Sequence, residues 1–333
     1  MALVLVWLAL TGSFNAWQTG PLLAMNGFVS LGLVAGVIYQ FRPKPLTWPL
    51  LALWLVLAFS TALNNPAGWG KLYYWLVLIA VYHLPQRAGE RQRAAVWAGW
   101  VLFPLAILLP WENGNSMAFM VVPLLWLGGE RAGPRWLTLG VVALLASGST
   151  GGLLAGVVGL AVYAWQRWPP DKKTAGLAGL VLAVLLAGLI AGQANNSGSW
   201  ANRVAIYRHA LVGISQAPLA GHGADSFSLT VAGWPALDEH NLILTTAHES
   251  GLIGLAVAGW LVSWLVMRHT FNPWQAGLLT SVAVHSMVDG PLFGSFFTGV
   301  VVMMVLGGLP CKASITWAWR WPGRWPWPRS GPI

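Results

Sequence analysis

Asp238-Glu239-His240-Asn241 runs directly into Leu242-Ile243-Leu244-Thr245-Thr246-Ala247-His248-Glu249-Ser250-Gly251-Leu252-Ile253-Gly254. A hydrophilic insertion ends here and a long apolar segment begins. Between Arg203 and Gly254 the chain gathers Arg203, Arg208, His209, His222, His240, His248, Asp225, Asp238, Glu239 and Glu249. Such groups are scarce elsewhere: 8% of the 333 residues are charged and 56% are hydrophobic. Soluble domains carry roughly 25% charged residues. So few charges could not cover a soluble surface.

Working outward, apolar runs of bilayer-crossing length recur along the chain. Twelve are read: 2–16, 21–41, 47–64, 70–84, 94–110, 115–128, 136–147, 151–166, 174–192, 242–267, 272–288 and 291–309. Those at 115–128 and 136–147 are short enough to be half-helices, so ten to twelve helices are expected. The expected fold is an all-α, polytopic transmembrane helical bundle with one large extracytoplasmic loop late in the chain. The strict alternation that a membrane barrel requires is missing. The expected organisation is 1–192 as N-terminal transmembrane helices, 193–241 as the outer loop with a short amphipathic helix, 242–309 as C-terminal transmembrane helices, and 310–333 as a cytoplasmic tail.

Charge placement supports the alternation. Of the 18 lysines and arginines, all but Lys71, Arg203 and Arg208 fall in links after even-numbered segments or in the tail. The positive-inside rule makes those links and both termini cytoplasmic. The net charge of +9 is thereby a topology signal and calls for no nucleic-acid partner. Cys311 is the single cysteine, which excludes an internal disulfide and a cysteine metal site. The first apolar run lacks a positive n-region and reads as a helix, not a cleaved signal.

In the loop, Trp200 to Gln216 has helical spacing, with Val204, Tyr207, Leu211 and Ile214 on one side. Such a helix would lie along the outer membrane face. Pro218 and Gly221-His222-Gly223 end it. His240 stands at the re-entry point with Asn241 as N-cap of the next helix. A histidine titrates at about 6.5 and can take a proton near neutrality. Arg203 and Arg208 oppose the positive-inside bias, and an arginine fork suits a diphosphate. A headgroup-binding helix would use them equally well. Asn241, Thr245 and His248 form a polar stripe with Glu249 alongside. His285 and Asp289 are an i, i+4 pair at the outer end of the following segment. These are supporting groups for a site, or interhelical hydrogen bonds between the two segments. No P-loop, HExxH or DxD motif is present, so no metal and no cofactor are expected. Ser147-Gly148-Ser149-Thr150-Gly151-Gly152 reads as an outer turn, not a nucleophile elbow.

Arg203-x3-Tyr207-x2-Ala210, Ile214, Pro218-Leu219-Ala220-Gly221-His222-Gly223, Phe227, His240-Asn241-Leu242 and Glu249-x-Gly251-Leu252-Ile253-Gly254 together resemble the signature of the O-antigen ligase and polymerase superfamily. The detailed match covers about fifty residues, Arg203 to Gly254. The resemblance implies a metal-independent, inverting glycosyltransferase of the bacterial inner membrane, with the loop periplasmic. It implies an undecaprenyl-diphosphate-linked glycan as donor and a glycan, lipid A core or protein as acceptor, with membrane lipids around it. Arg203 would contact the diphosphate and His240 would be the base. Many members carry Ser-Arg-Gly where this chain has Ser149-Thr150-Gly151; Arg208 or Lys71 would then have to supply a second cation. A lipid-linked sugar transporter would use the same arginines without needing His240, but no internal repeat of the transporter kind is present.

Overall fold

The computed structural model describes residue 44 and residues 46–65, 68–83, 88–108, 114–167, 179, 197–231, 233–236, 239–289 and 296–310. The expected segments 2–16, 21–41 and 174–192, most of the tail, and Asp238 lie outside them. The described helices are α1 (Thr47–Asn64), α2 (Trp69–His83), α3 (Ala88–Leu108), α4 (Gly114–Ala132), α5 (Pro134–Ser147), α6 (Thr150–Arg167), α7 (Ser197–Gln216), α8 (Leu242–Arg268), α9 (Pro273–Ser286) and α10 (Phe296–Leu306). Segments 115–128 and 136–147 are thus two helices joined at Gly133 (φ 75°), with Pro134 opening the second. The fold is mostly helical. The outer loop adds one element not expected from sequence, an antiparallel ribbon of β1 (Leu229–Val231) and β2 (Trp234–Ala236), with Leu229 opposite Ala236.

Among the described residues α1 and α8 are long and apolar enough to cross a bilayer. Large apolar side chains point outward along the bundle, among them Phe59, Trp97, Leu108, Trp165, Trp260 and Val262. That is the surface of a protein solvated by lipid. The interior packs small residues against one large one. Gly151, Gly152, Ala155, Gly156 and Gly159 form the buried face of α6, the small-residue spacing that lets helices approach closely. Trp126 of α4 fills the junction with α9, and its Nε1 donates to Ser281 Oγ at 2.8 Å. A methyl group on Gly277 would meet the Trp126 ring.

The links sort into two ends. At one end Lys44 Nζ donates to the carbonyls of Tyr82 (2.8 Å) and Gly307 (3.0 Å), so one cation serves the C-termini of α2 and α10. Glu130 accepts from Gln92 and Asn272 at the same end. These residues flank even-numbered segments. Residues flanking odd-numbered segments meet at the other end: Asn65 with Ala224, and Asn115 with Ser149 and Asp289.

Helix α8 is broken. Gly251 has φ 65° and ψ −166°, a conformation essentially restricted to glycine. The break orphans the carbonyls of His248 and Glu249 and the amides beyond. The segment Pro218–Gly223 supplies what is missing. His222 and Gly223 donate to the carbonyls of His248 (2.8 Å) and Glu249 (2.9 Å). The amides of Leu252 (2.8 Å) and Ile253 (3.3 Å) donate to Pro218 and Leu219. Ser60 Oγ also donates to the Glu249 carbonyl at 2.7 Å. The end of α1 clamps the same loop, with Asn64 Nδ2 on Gly221 O and the Ala224 amide on Thr61 Oγ1.

This break gives a paired test on one helix. Gly251→Ala puts a methyl group against the Leu219 carbonyl in a forbidden conformation. It should lower the unfolding midpoint in detergent by an amount equivalent to about 1–3 kcal/mol. Gly259→Ala meets nothing within 4 Å and should leave the midpoint unchanged or raise it. Equal effects of the two substitutions would count against the break.

Candidate functional site

Two polar nests occupy the end of the bundle where the loop lies. The first is built around Asp289, just past the end of α9 and 5% exposed. Arg203, on the first half of α7, reaches it with Nη2 at 2.5 Å from Oδ1 and donates through Nη1 to the Val288 carbonyl. Asn115 Nδ2 donates to the same Oδ1 at 3.1 Å. Asn115 Oδ1 in turn accepts from Ser149 Oγ at 2.7 Å. Ser149 also caps α6, taking the Gly152 amide at 3.0 Å. Asp289 therefore lies at the N-terminal, electropositive end of α6. Gly151 is required there, because any Cβ would collide with Asp289 Oδ2. His285 Nε2 stands 3.6 Å from Oδ2, and neither atom has a hydrogen-bond partner among the described residues.

Asn241 closes this nest from the loop side, with His240 preceding it in the chain. Asn241 caps α8, its Oδ1 accepting from the amides of Ile243 (3.0 Å) and Leu244 (3.1 Å). Its Nδ2 donates to the Met287 carbonyl at 2.8 Å. The N-cap expectation is thus met, and the cap is also a tie to the Asp289 turn. His240 has φ 51°, a left-handed conformation uncommon for a residue with a side chain. Both its neighbours turn inward, and its own ring is half-buried.

The second nest contains His248 and Glu249. Lys71 Nζ lies 2.5 Å from Glu249 Oε1 and 3.5 Å from Asp225 Oδ1. The Asp225 amide also donates to Glu249 Oε1, at 2.9 Å. Lys71 is thus consumed within the protein and does not replace the cation missing at Thr150. His248 Nδ1 is 3.1 Å from Glu239 Oε1 and 3.4 Å from Ser226 Oγ. Ser226 spends its one hydrogen on the Gly223 carbonyl, so toward His248 it accepts. Nδ1 therefore carries a proton. A serine–histidine–acid relay needs its two partners on opposite ring nitrogens. Here both face Nδ1, so the trio is a structural tie. Glu239 Oε1 lies against His248 Nδ1 without an aligned hydrogen bond. His222 packs on His248 with ring centroids 4.9 Å apart and donates from Nε2 to the Gly213 carbonyl.

The sequence stripe of Asn241, Thr245, His248 and Glu249 is therefore split between the two nests. Arg208 is exposed and stands five residues after Arg203, roughly 140° around the helix at 3.6 residues per turn. The two arginines do not form one clamp. The protein-facing side of α7 is a second stripe that the sequence reading did not name. Ile206 and Ala210 are buried against Phe227 and Ala236, whereas Val204 and Leu211 are more than half exposed. Sequence reading missed Asn115 and Ser149. The signal available was a polar residue at the start of an apolar segment and a serine before a glycine-rich helix.

The bundle with a re-entering polar loop and a buried arginine–aspartate pair defines a membrane protein with a polar site at one end. Residues 136–259 match the Wzy_C family model, described as O-antigen ligase. The match supports a membrane protein of the O-antigen ligase and polymerase type over that stretch. The match runs from α5 to Gly259 and contains Arg203, His240 and Glu249; Lys71, Asn115, His285 and Asp289 join the two nests from outside it. No curated protein and no solved structure matches the chain.

Burial raises the Glu239 carboxyl, but the nearby polar groups of His248 and Thr245 outweigh it and hold the group below its ordinary value of 4.5. A depressed carboxylate adds stability above its unfolded value and loses it as pH falls through the folded one. Thermal unfolding should therefore show wild type more stable than Glu239→Gln at neutral pH. The gap should close as pH drops below about 4.5. A gap independent of pH would remove the Glu239–His248 contact from the account.

Proposed function

We propose that the protein transfers a glycan from undecaprenyl diphosphate to an acceptor hydroxyl on the periplasmic face of the bacterial inner membrane, with both termini cytoplasmic. The observation that carries this reading is the Arg203–Asp289 nest, a part-exposed arginine held by a buried carboxylate and tied through Asn241 to the turn that carries His240. Arginine has five donors. Asp289 and the Val288 carbonyl engage two of its nitrogens, and the remaining N–H groups are available to a diphosphate. Asp289 orients the fork in the same way that a second carboxylate orients a catalytic imidazole.

In the proposed reaction His240 takes the proton of the acceptor hydroxyl. The acceptor oxygen bonds to the anomeric carbon, and the bond from that carbon to the diphosphate oxygen breaks. The configuration inverts, and undecaprenyl diphosphate leaves with the electron pair. Arg203 stabilises the charge that grows on the leaving diphosphate. His240 suits the role of base because its strained backbone is held by two anchored neighbours. The acceptor is a glycan, the lipid A core or a protein side chain.

Purified protein supplied with lipid-diphosphate glycan and candidate acceptors tests this. His240→Ala should lose about 100- to 10,000-fold in transfer rate while still binding donor. Arg203→Ala should weaken donor binding by about 10- to 100-fold. Arg208→Ala should leave donor binding unaltered, and a chelator should not inhibit. Undiminished transfer by His240→Ala would sink the mechanism.

A further inference from the structure

At the opposite end of the bundle a groove of about 490 Å³ lies between α3 and α4. It is lined by Arg93, Val96, Trp97, Trp100 and Arg131. The first four stand at i, i+3, i+4 and i+7 on one stripe of α3. Arg131 belongs to the last turn of α4 and faces the stripe at its arginine end. Arg93, Trp97, Trp100 and Arg131 are all exposed. Glu130, next to Arg131, accepts from Gln92 at 2.6 Å and from Asn272 at 3.2 Å. Neither arginine forms an ion pair among the described residues.

We propose that this groove binds the headgroup and upper acyl chain of an anionic phospholipid. The charge is complementary: two arginines line the same groove, and an arginine fork suits a phosphate. The lipid character follows from the shaft. Trp97 and Trp100 are 67% and 58% exposed and continue from the arginines along the lipid-facing side. Arg93 to Trp100 spans about 10 Å at 1.5 Å per residue, the depth from phosphate to upper acyl chain. A soluble anion would have no use for that apolar extension. The groove wall is also pre-formed. Trp100 rests edge-on against Trp136 with centroids 6.0 Å apart, and Trp136 is buried and donates to the Leu124 carbonyl. The positive-inside rule puts this end at the cytoplasmic leaflet, where acidic headgroups attract arginine pockets. The site lies at the other end of the bundle from His240 and stands independently of glycan transfer.

The test uses the full chain in phosphatidylcholine nanodiscs doped with phosphatidylglycerol, reading bound lipid by native mass spectrometry and unfolding midpoint by thermal melt. Phosphatidylglycerol should be retained through delipidation and should raise the midpoint. Arg93→Ala with Arg131→Ala should weaken retention by about 30-fold with the midpoint in pure phosphatidylcholine unchanged. If that pair fails to fold, Arg131→Gln alone is read for a smaller loss in the same direction. Arg167→Ala and Trp165→Ala, exposed on the same end but outside the groove, serve as controls and should retain lipid fully. Soluble glycerol phosphate should neither bind nor stabilise. Equal loss in the Arg167 control, or equal binding of glycerol phosphate, overturns the proposal.

Discussion

The break in α8 at Gly251 is the constraint on which the rest of the structure depends. A lipid environment offers nothing to an orphaned amide or carbonyl, so an interrupted helix survives only where protein supplies partners. Pro218–Gly223 supplies them on both sides of the break. The arrangement draws the loop into the bundle and fixes where it must run. The clamp from Ser60, Thr61, Asn64 and Asn65 of α1 and its C-cap follows from it. So does the burial of Glu249 against Lys71. The loop is therefore not an appendage above the membrane helices but part of their hydrogen-bonding scheme. A histidine carried on such a loop is held by the same network that holds the helices.

The second governing term is the burial of charge. A lone buried carboxylate is expensive, and each of those here has a stated compensation. Asp289 has Arg203, Asn115 and the positive end of α6. Glu249 has Lys71 and the Asp225 amide. Glu239 has His248. The three differ in what they leave over. Lys71 sits between two carboxylates and is fully used. Arg203 pairs with one carboxylate and keeps unspent donors at 21% side-chain exposure. That difference, more than the count of cations, singles out Arg203 as the group able to meet an anion.

Much of this was legible in residue order. Apart from 174–192, which lies outside the described residues, the apolar segments from 47 onward coincide with the described helices to within a few residues, except that α3 and α4 run further into their polar flanks. The grouping of odd-numbered links at one end agrees with the charge alternation. The N-cap at Asn241 and the i, i+4 relation of His285 and Asp289 hold because both are local. What failed was non-local. The stripe on α8 was read as one group, but Asn241 ties to the Met287 carbonyl while His248 and Glu249 meet Glu239 and Lys71. The packing of Ile206 and Ala210 against Phe227 and Ala236 was not read at all. Arg203 and Arg208 look alike in sequence, and only their angular separation distinguishes them.

By itself the sequence determined that the protein is a mostly helical membrane protein and which superfamily signature its loop resembles. Composition, charge alternation and glycine placement are properties of order along the chain. Only the tertiary structure decided that the signature glycines serve a backbone junction, that Asn115, Ser149 and Asp289 complete the nest of Arg203, and that Lys71 is spent on Glu249. Those facts depend on residues as far as 178 positions apart meeting in space. No local preference encodes such meetings; they follow from the cost of leaving a buried polar group without a partner.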